Sequence, residues 1–312
     1  MARTKGVKIE NVTTRNALKN LPPKGSNIDG KSLTQKAMLI NLSISQWTAR
    51  KHDTAATKRV AEDFGNAAAT GRYNKLLIAQ DALKKIASTV TAARTFYYSN
   101  TLPWTDDGNR MLPATSYMEF TDEMRRLRNL FNNAVDDFEA NYPALIEQAR
   151  DMLAGLFNPD DYPSAAQIRR KYAFNFDVSP LPAAEDFRVM LQGDEVEQIQ
   201  RSITERAEQR VNTAMADLYE RLYKVVSKAA DSLKDPKAIF HDTLIGNIVE
   251  ITELLPKLNI ANDPALEELR KIVEAKLCHT EPVELRKDIN VRKVVADDAQ
   301  AILDAMSAYM GG

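Results

Sequence analysis

Residues 99–113 read SNTLPWTDDGNRMLP. They separate two long amphipathic patterns, at roughly 72–98 and 117–157, and gather a Trp, two Pro, a Gly and an Asp pair into fifteen residues. Pro103 fixes its own φ and drives Leu102 out of the α region, so the first pattern must end as a helix near Ser99 or Asn100. Asp106, Asp107 and Gly108 are turn formers, and Pro113 imposes a second extended step. The stretch therefore reads as the connector of a long helical hairpin, with Trp104 packed against its tip. The rival reading is a recognition loop that presents Trp104, Asp106, Asp107 and Arg110 to a partner. Binding residues concentrate on loops, although most loops only connect.

The flanking patterns have helical spacing. Leu76, Leu83, Val90 and Tyr97 lie seven apart, with Ala79, Ile86 and Ala93 on a second seam. Such a repeat specifies a left-handed coiled-coil contact. Met124, Leu127, Phe131, Val135, Phe138 and Tyr142 supply the facing helix. Pro143 is expected to kink or restart that helix, with Asn141 as a cap. Phe96, Tyr97 and Tyr98 could stack bases, but their place on the heptad assigns them to the core.

Upstream, Met38, Ile40, Leu42 and Ile44 alternate with polar residues, the period of a half-buried strand. Asp53 is placed to cap a helix that Gly65 would end. Downstream, Tyr172, Phe174, Phe176 and Val178 alternate, as do Phe187, Val189 and Leu191 beyond Pro180 and Pro182. Two more short strands follow, which with 38–46 make a small sheet at one end of the hairpin. From Asp194 to Leu233 a single stripe runs through Val196, Ile199, Ile203, Ala207, Val211, Ala214, Leu218, Leu222, Val225, Ala229 and Leu233. About 40 residues at ~1.5 Å each give a rod of roughly 60 Å, which needs the first hairpin or another subunit beside it. Asp235-Pro236 and Asp263-Pro264 each read as a cap followed by a first-turn proline, and a last helix carries Val291, Val294, Ile302, Met306 and Tyr309. The fold expected is mainly α: long antiparallel helical hairpins, coiled-coil-like, with a small β-sheet at one end.

Residues 1–36 stand apart. Eight basic residues (Arg3, Lys5, Lys8, Arg15, Lys19, Lys24, Lys31, Lys36) against Glu10 and Asp29 leave +6; with the chain at −1, the rest carries about −7. Few apolar residues and the LPPKGS stretch make a flexible basic arm. It is either a solvated tail or a grip on an acidic partner, nucleic acid or a neighbouring copy. The organisation expected is an arm at 1–36, a hairpin body with the sheet at 37–234, and a C-terminal helical region at 235–312.

The bulk charge balance, 42 Lys and Arg against 43 Asp and Glu, excludes a nucleic-acid or membrane field over the body. No apolar run reaches the length of a membrane span. One cysteine, Cys278, excludes an internal disulfide and a cysteine zinc site, in keeping with a reducing cytoplasm. The three histidines include two His-Asp pairs, His52-Asp53 and His241-Asp242. Helical His-Asp pairs are metal ligands in one phosphohydrolase class, but the additional His and Asp that class requires are missing. His279 beside Cys278 points elsewhere on a helix and makes a poor clamp. Asp160-Asp161 reads as turn chemistry and Asp136-Asp137 as a solvated face. There is no phosphate-cradling Gly loop, nucleophile elbow or Cys-His arrangement. No catalytic, metal or cofactor-binding residue is assigned.

Several short motifs, in order, carry a resemblance. They are Ile40–Arg50 (INLSISQWTAR), Thr101-Leu102-Pro103-Trp104 with Gly108, Arg110, Leu112 and Pro113, then Tyr162-Pro163-Ser164, and Pro180-Leu181-Pro182 followed by Asp186-Phe187-Arg188-Val189. Together they resemble a family of bacteriophage proteins of unknown function, over roughly residues 38–235. Its members are often encoded near MoxR-like AAA ATPases and von Willebrand-type domain proteins. The resemblance implies a phage origin, a site of action in the infected host's cytoplasm and an AAA ATPase as protein partner. That family has no established catalytic residues to carry over. The function expected is a non-catalytic accessory protein that self-assembles into a homo-oligomer or binds a protein partner. The alternative is a nucleic-acid-binding factor using the arm, through Arg3, Lys5, Lys8, Arg15 and Lys19.

Overall fold

A computed structural model describes residues 14, 17–19, 21–22, 30–65, 71–105, 108–184, 193–235 and 237–310. The fold is mainly helical, with long helices packed antiparallel and a small four-stranded antiparallel sheet. In chain order, α1 (Gly30–Lys36) runs into β1 (Ala37–Ser45), followed by β2 (Arg50–His52), α2 (Thr54–Asp63), β3 (Asn74–Leu76) and α3 (Gln80–Ser99). The connector then forms β4 (Leu102–Pro103) and β5 (Arg110–Pro113) before α4 (Tyr117–Leu153). After α5 (Ala165–Arg169) and β6 (Ala173–Ser179) come α6 (Gly193–Lys234), α7 (Thr243–Leu258), α8 (Pro264–Leu277), α9 (Pro282–Lys287) and α10 (Ile289–Met310).

The sheet order is β4-β5-β1-β6, and β2 pairs with β3 separately. The connector is thus more than a turn. Its two proline-marked extended steps are strands, with Leu102 opposite Met111 and Met111 in turn opposite Leu39 of β1. β1 buries both faces at Leu39 and Ile40 and becomes one-sided only past Asn41, where Leu42 and Ile44 are half-buried and Ser43 and Ser45 exposed. The strand expected at 187–191 lies outside the described residues.

The chain divides into two compact units. Unit 1 is Met1–Ile40, Asn100–Tyr117 and Val178–Gly312; unit 2 is Asn41–Ser99 and Met118–Asp177. Among the described residues, Leu18 and Leu33, the connector and the C-terminal helices share one core.

In unit 1, α6 packs against α10 and α7. Its buried stripe holds Ala207, Val211, Ala214, Leu218, Leu222, Ala229 and Leu233; Val226 rather than Val225 is fully buried, and Val196, Ile199 and Ile203 are only half-buried. Within unit 1 the buried stretch of the rod is covered by the C-terminal helices. Asp263 caps α8 as expected, accepting from the N–H groups of Ala265 and Leu266. Asp235 instead accepts from Lys237 N–H in a turn, and the next helix waits until Thr243. The end of α6 is held from outside. Buried Arg292 of α10 donates to the carbonyls of Leu233 (3.1 Å), Ser232 (2.8 Å), Asp235 (2.5 Å) and Ala238 (3.0 Å), serving the orphan acceptors at a helix C-terminus. The arm also corrects the sequence reading. Leu18 and Leu33 lie in this core, and Thr14 Oγ1 donates to Asp298 Oδ1 at 2.9 Å. Its described part is packed rather than detached.

In unit 2, α3 and α4 are antiparallel: Lys85 near the start of α3 pairs with Asp137, while Phe96 near its end stacks on Phe120 at 5.3 Å. Ile86, Val90, Ala93 and Tyr97 are buried on α3, and Phe120, Met124, Leu127, Phe131, Val135, Phe138 and Tyr142 on α4. The heptad extends too far at its start: Leu76 belongs to β3 and Ala79 precedes the first residue of α3. Pro143 does not restart the helix. Asn141 Nδ2 donates to the Asp137 carbonyl one turn back, and α4 continues to Leu153.

Candidate functional site

The connector residues differ in their surroundings. Trp104 is buried in the core of unit 1, with the Arg210 guanidinium 4.8 Å from its ring centroid. Arg110 is half-buried and donates twice to Thr101, through Nε to the hydroxyl (2.7 Å) and Nη2 to the carbonyl (2.9 Å). Arg221 of α6 donates to the same carbonyl at 2.8 Å. These side chains fasten the connector to α6. Asp106, Asp107, Arg3, Lys5, Lys8 and Arg15 lie outside the described residues, and Lys19 is exposed.

Unit 2 holds a buried ionic centre that the sequence did not announce. β2 and β3 pair with Lys51 opposite Lys75, and Lys75 is 6% exposed. Its Nζ meets Asp161 Oδ2 at 2.6 Å and Asp53 Oδ2 at 3.3 Å, and donates to the Leu156 carbonyl at 2.8 Å. Lys51 reaches the other Asp161 oxygen at 3.2 Å. Asp53 is also the expected cap of α2, accepting from Ala56 N–H at 2.9 Å. That hydrogen bond, aided by Lys75, lowers the Asp53 carboxyl below its ordinary pKa. Burial alone would raise Asp161, but Lys75 and Lys51 outweigh it and hold this carboxyl low as well. Burial alone would lower Lys75, but its two carboxylate partners win and raise it. A lysine kept charged is neither nucleophile nor base at neutral pH. The centre is a clamp that ties β3 to the start of α2 and to the 159–161 turn. Tyr162 adds a hydrogen bond to the Leu77 carbonyl at 2.9 Å.

Beside this clamp lies a cavity of about 680 Å³, lined by Gln46, Trp47, Arg50, Lys84, Tyr172 and neighbours on the first turns of α3. Trp47 packs edge-on against Phe138 (6.3 Å) and Tyr142 (6.0 Å). Tyr142 donates to the Pro163 carbonyl at 3.1 Å, and burial pushes its phenol up to about 12. The Tyr172 phenol is also raised, by burial and then by Tyr142. Ala49, between Trp47 and Arg50, is fully buried with φ of 50°, a left-handed conformation that costs an L-residue about 1–2 kcal/mol. Its carbonyl accepts from Leu77 N–H at 2.7 Å, which pins the bend. Backbone strain of this kind persists where the surroundings over-determine it.

The histidines contribute no comparable arrangement. His52 Nε2 lies 3.2 Å from the Thr57 hydroxyl, and Asp242 pairs with Arg286. Among the described residues no group of three or more His, Cys, Asp and Glu side chains could hold a metal ion. Burial raises the half-buried Cys278 thiol. No helix among the described residues is long and apolar enough to cross a membrane.

Among known proteins, no curated protein and no solved structure matches this chain. A family model, described as protein of unknown function (DUF3150), matches residues 34–238. That span takes in the sheet, the hairpin, the ionic clamp, the Trp47 cavity and the whole of α6. The chain belongs to the DUF3150 family.

Proposed function

We propose that this chain is a non-catalytic bacteriophage accessory protein that binds a protein partner in the host cytoplasm, with a MoxR-like AAA ATPase as the partner. One observation carries the reading. The charged groups Lys75, Asp53 and Asp161, whose side chains are largely shielded in unit 2, are committed to one another, while the adjoining cavity keeps aromatic side chains and an exposed Arg50 and Lys84. Groups tuned for chemistry carry pKa values displaced toward the working pH; these three are displaced away from it. A recess that joins aromatic and aliphatic side chains to polar groups is instead the form of a binding site. The resemblance of the Ile40–Arg50 and connector motifs to phage proteins supplies the setting and the ATPase.

The test is sedimentation of the purified chain with a MoxR-like ATPase. A complex of defined mass at micromolar concentration is expected, and its absence with correctly folded partners would refute the proposal. Light scattering of the nuclease-treated chain at low and high salt separates partner binding from self-assembly. A DNA test should use a chain lacking only residues 1–13, because removing 1–36 takes Leu18 and Leu33 out of the core. DNA retention lost with residues 1–13 would favour the nucleic-acid alternative.

A further inference from the structure

We infer that the cavity beside Trp47 receives an aromatic side chain with a neighbouring carboxylate, presented by an acidic segment of the protein partner. The inference rests on the partner-binding reading and names the chemistry that the partner must offer. Three features of the cavity select it. The apolar part of the lining is ring-bearing, Trp47 and Tyr172 with Leu83 and Ile86, and uncharged polar residues, Gln46, Thr48 and Gln80, complete it. Flat aromatic groups gain most from such walls, by edge and stacked contacts beyond simple area burial. The volume of about 680 Å³ lies within the roughly 300–1,000 Å³ of known ligand recesses and exceeds what one ring needs. A side chain together with part of its backbone and a neighbour is therefore the natural occupant.

Charge decides the rest. Arg50 and Lys84 line the cavity and are exposed. Among the described residues neither makes a salt bridge, whereas the next cation along α3, Lys85, is paired with Asp137. Asp81 is the single carboxylate in the lining, so the site carries a net positive charge on a chain whose total is −1. A planar guanidinium beside an indole recognises a carboxylate bidentately while the ring holds an apolar body. The bend that presents Trp47 and Arg50 together is held by the Ala49 carbonyl, so little ordering remains to be done on binding.

The chain has two tryptophans, hence two indole N–H signals in a nitrogen-15 spectrum of the wild-type protein. The probes are N-acetyl-phenylalanine as its carboxylate, the corresponding amide, and an acidic peptide, acetyl-Asp-Glu-Phe-Asp-amide. The Trp47 signal should shift saturably with the carboxylate and the peptide, and the Trp104 signal should stay in place. The amide should bind at least tenfold more weakly than the carboxylate, and the peptide at least tenfold more tightly. Arg50→Gln should weaken the peptide about tenfold and Lys84→Gln several-fold, while Lys85→Gln leaves it unchanged. Both test residues are exposed, so these variants retain the fold. Equal binding of carboxylate and amide, indifference to Arg50→Gln, or a carboxylate that binds as tightly as the peptide would each overturn the inference. The two proposals fail separately. An ATPase complex that survives Arg50→Gln unchanged overturns this cavity as its seat, whereas probe binding without any ATPase complex overturns the partner reading.

Discussion

Replacing Lys75 with methionine probes the ionic clamp of unit 2. The substitution keeps the length and apolar stem of the side chain and removes its charge. The Lys75 and Asp161 side chains are each 7% exposed and Asp53 13%, so two carboxylates would lose their common cation in a poorly solvated place. Breaking a buried pair by removing one partner costs about 3–5 kcal/mol. The lower end applies here. Asp161 keeps Lys51 at 3.2 Å, although that lysine is 51% exposed, and Asp53 keeps its cap hydrogen bond. With a denaturant slope of about 2 kcal/mol per molar urea, a loss of about 3 kcal/mol lowers the midpoint by about 1.5 M. Trp47 fluorescence in a Trp104→Phe background reports on unit 2 alone. The pH dependence gives a second, independent check. In the native chain Asp53 and Asp161 have lowered pKa values, so their contribution is full above the unfolded value near 3.8 and is lost as pH falls through the folded values. Lys75 is raised above 10.5, so its contribution is full below that value and is lost as pH rises through the folded one. In the variant, burial acts on Asp161 with less opposition, and protonation relieves it. The stability gap between the two proteins should therefore be widest near neutrality and narrow as pH falls through the lowered folded values of the two carboxyls, below 3.8. An unchanged midpoint at pH 7, or a gap that widens with acid, would refute the clamp.

Four further outcomes are expected. Arg292→Met should cost about 1.5–3 kcal/mol, the range for hydrogen bonds from a charged group, read as a lower Trp104-reported midpoint; an unchanged midpoint would show that the end of α6 needs no external donor. Leu218→Asp places an unpaired charge at a fully buried position of α6 and should abolish cooperative folding of unit 1, whereas Leu33→Ala should cost about 2–5 kcal/mol; circular-dichroism melts check both, and a native-like Leu218→Asp melt would remove α6 from the core. Cys278, half-buried and with its pKa raised by burial, should react with a thiol reagent at pH 8 many times more slowly in the native chain than in urea, and equal rates would contradict its burial.

Local signals carried their predictions well. Alternation marked β1, the Asp53 side chain caps α2 as its position before a helical run requires, and Asp263-Pro264 starts α8. The stripe of α6 was legible because a 3.7-residue spacing persists over many turns. The failures share one cause, which is that burial depends on residues far away in sequence. Leu76 satisfies a heptad, but β2 claims it for a strand. The connector prolines do break the helix, yet whether an extended step becomes a strand depends on β1. Lys75 and Asp161 lie 86 positions apart, and nothing local distinguishes them from surface charges. Trp47 was visible only within the INLSISQWTAR motif, and its recess exists because Tyr172 and the first turns of α3 converge there. The described residues of the arm were misread because a low apolar fraction does not exclude two well-placed leucines.

The interleaving of the two units has a consequence for synthesis. Unit 2 is complete once Asp177 has left the ribosome, but unit 1 owns the connector, which emerges between the two halves of unit 2. From Asp177 to Gly312 is a further 135 residues, on the order of ten seconds of translation at about 5–20 residues per second. Throughout that interval Leu102, Met111 and Leu112, all fully buried in the finished chain, have no α6–α10 to cover them. The nascent chain thus carries an apolar hairpin awaiting its core. Cofactors of synthesis that shield apolar segments, and the pace of translation beyond codon 177, become determinants of yield. Chains arrested before α6 should protect residues 41–99 from protease while leaving the connector open to cleavage.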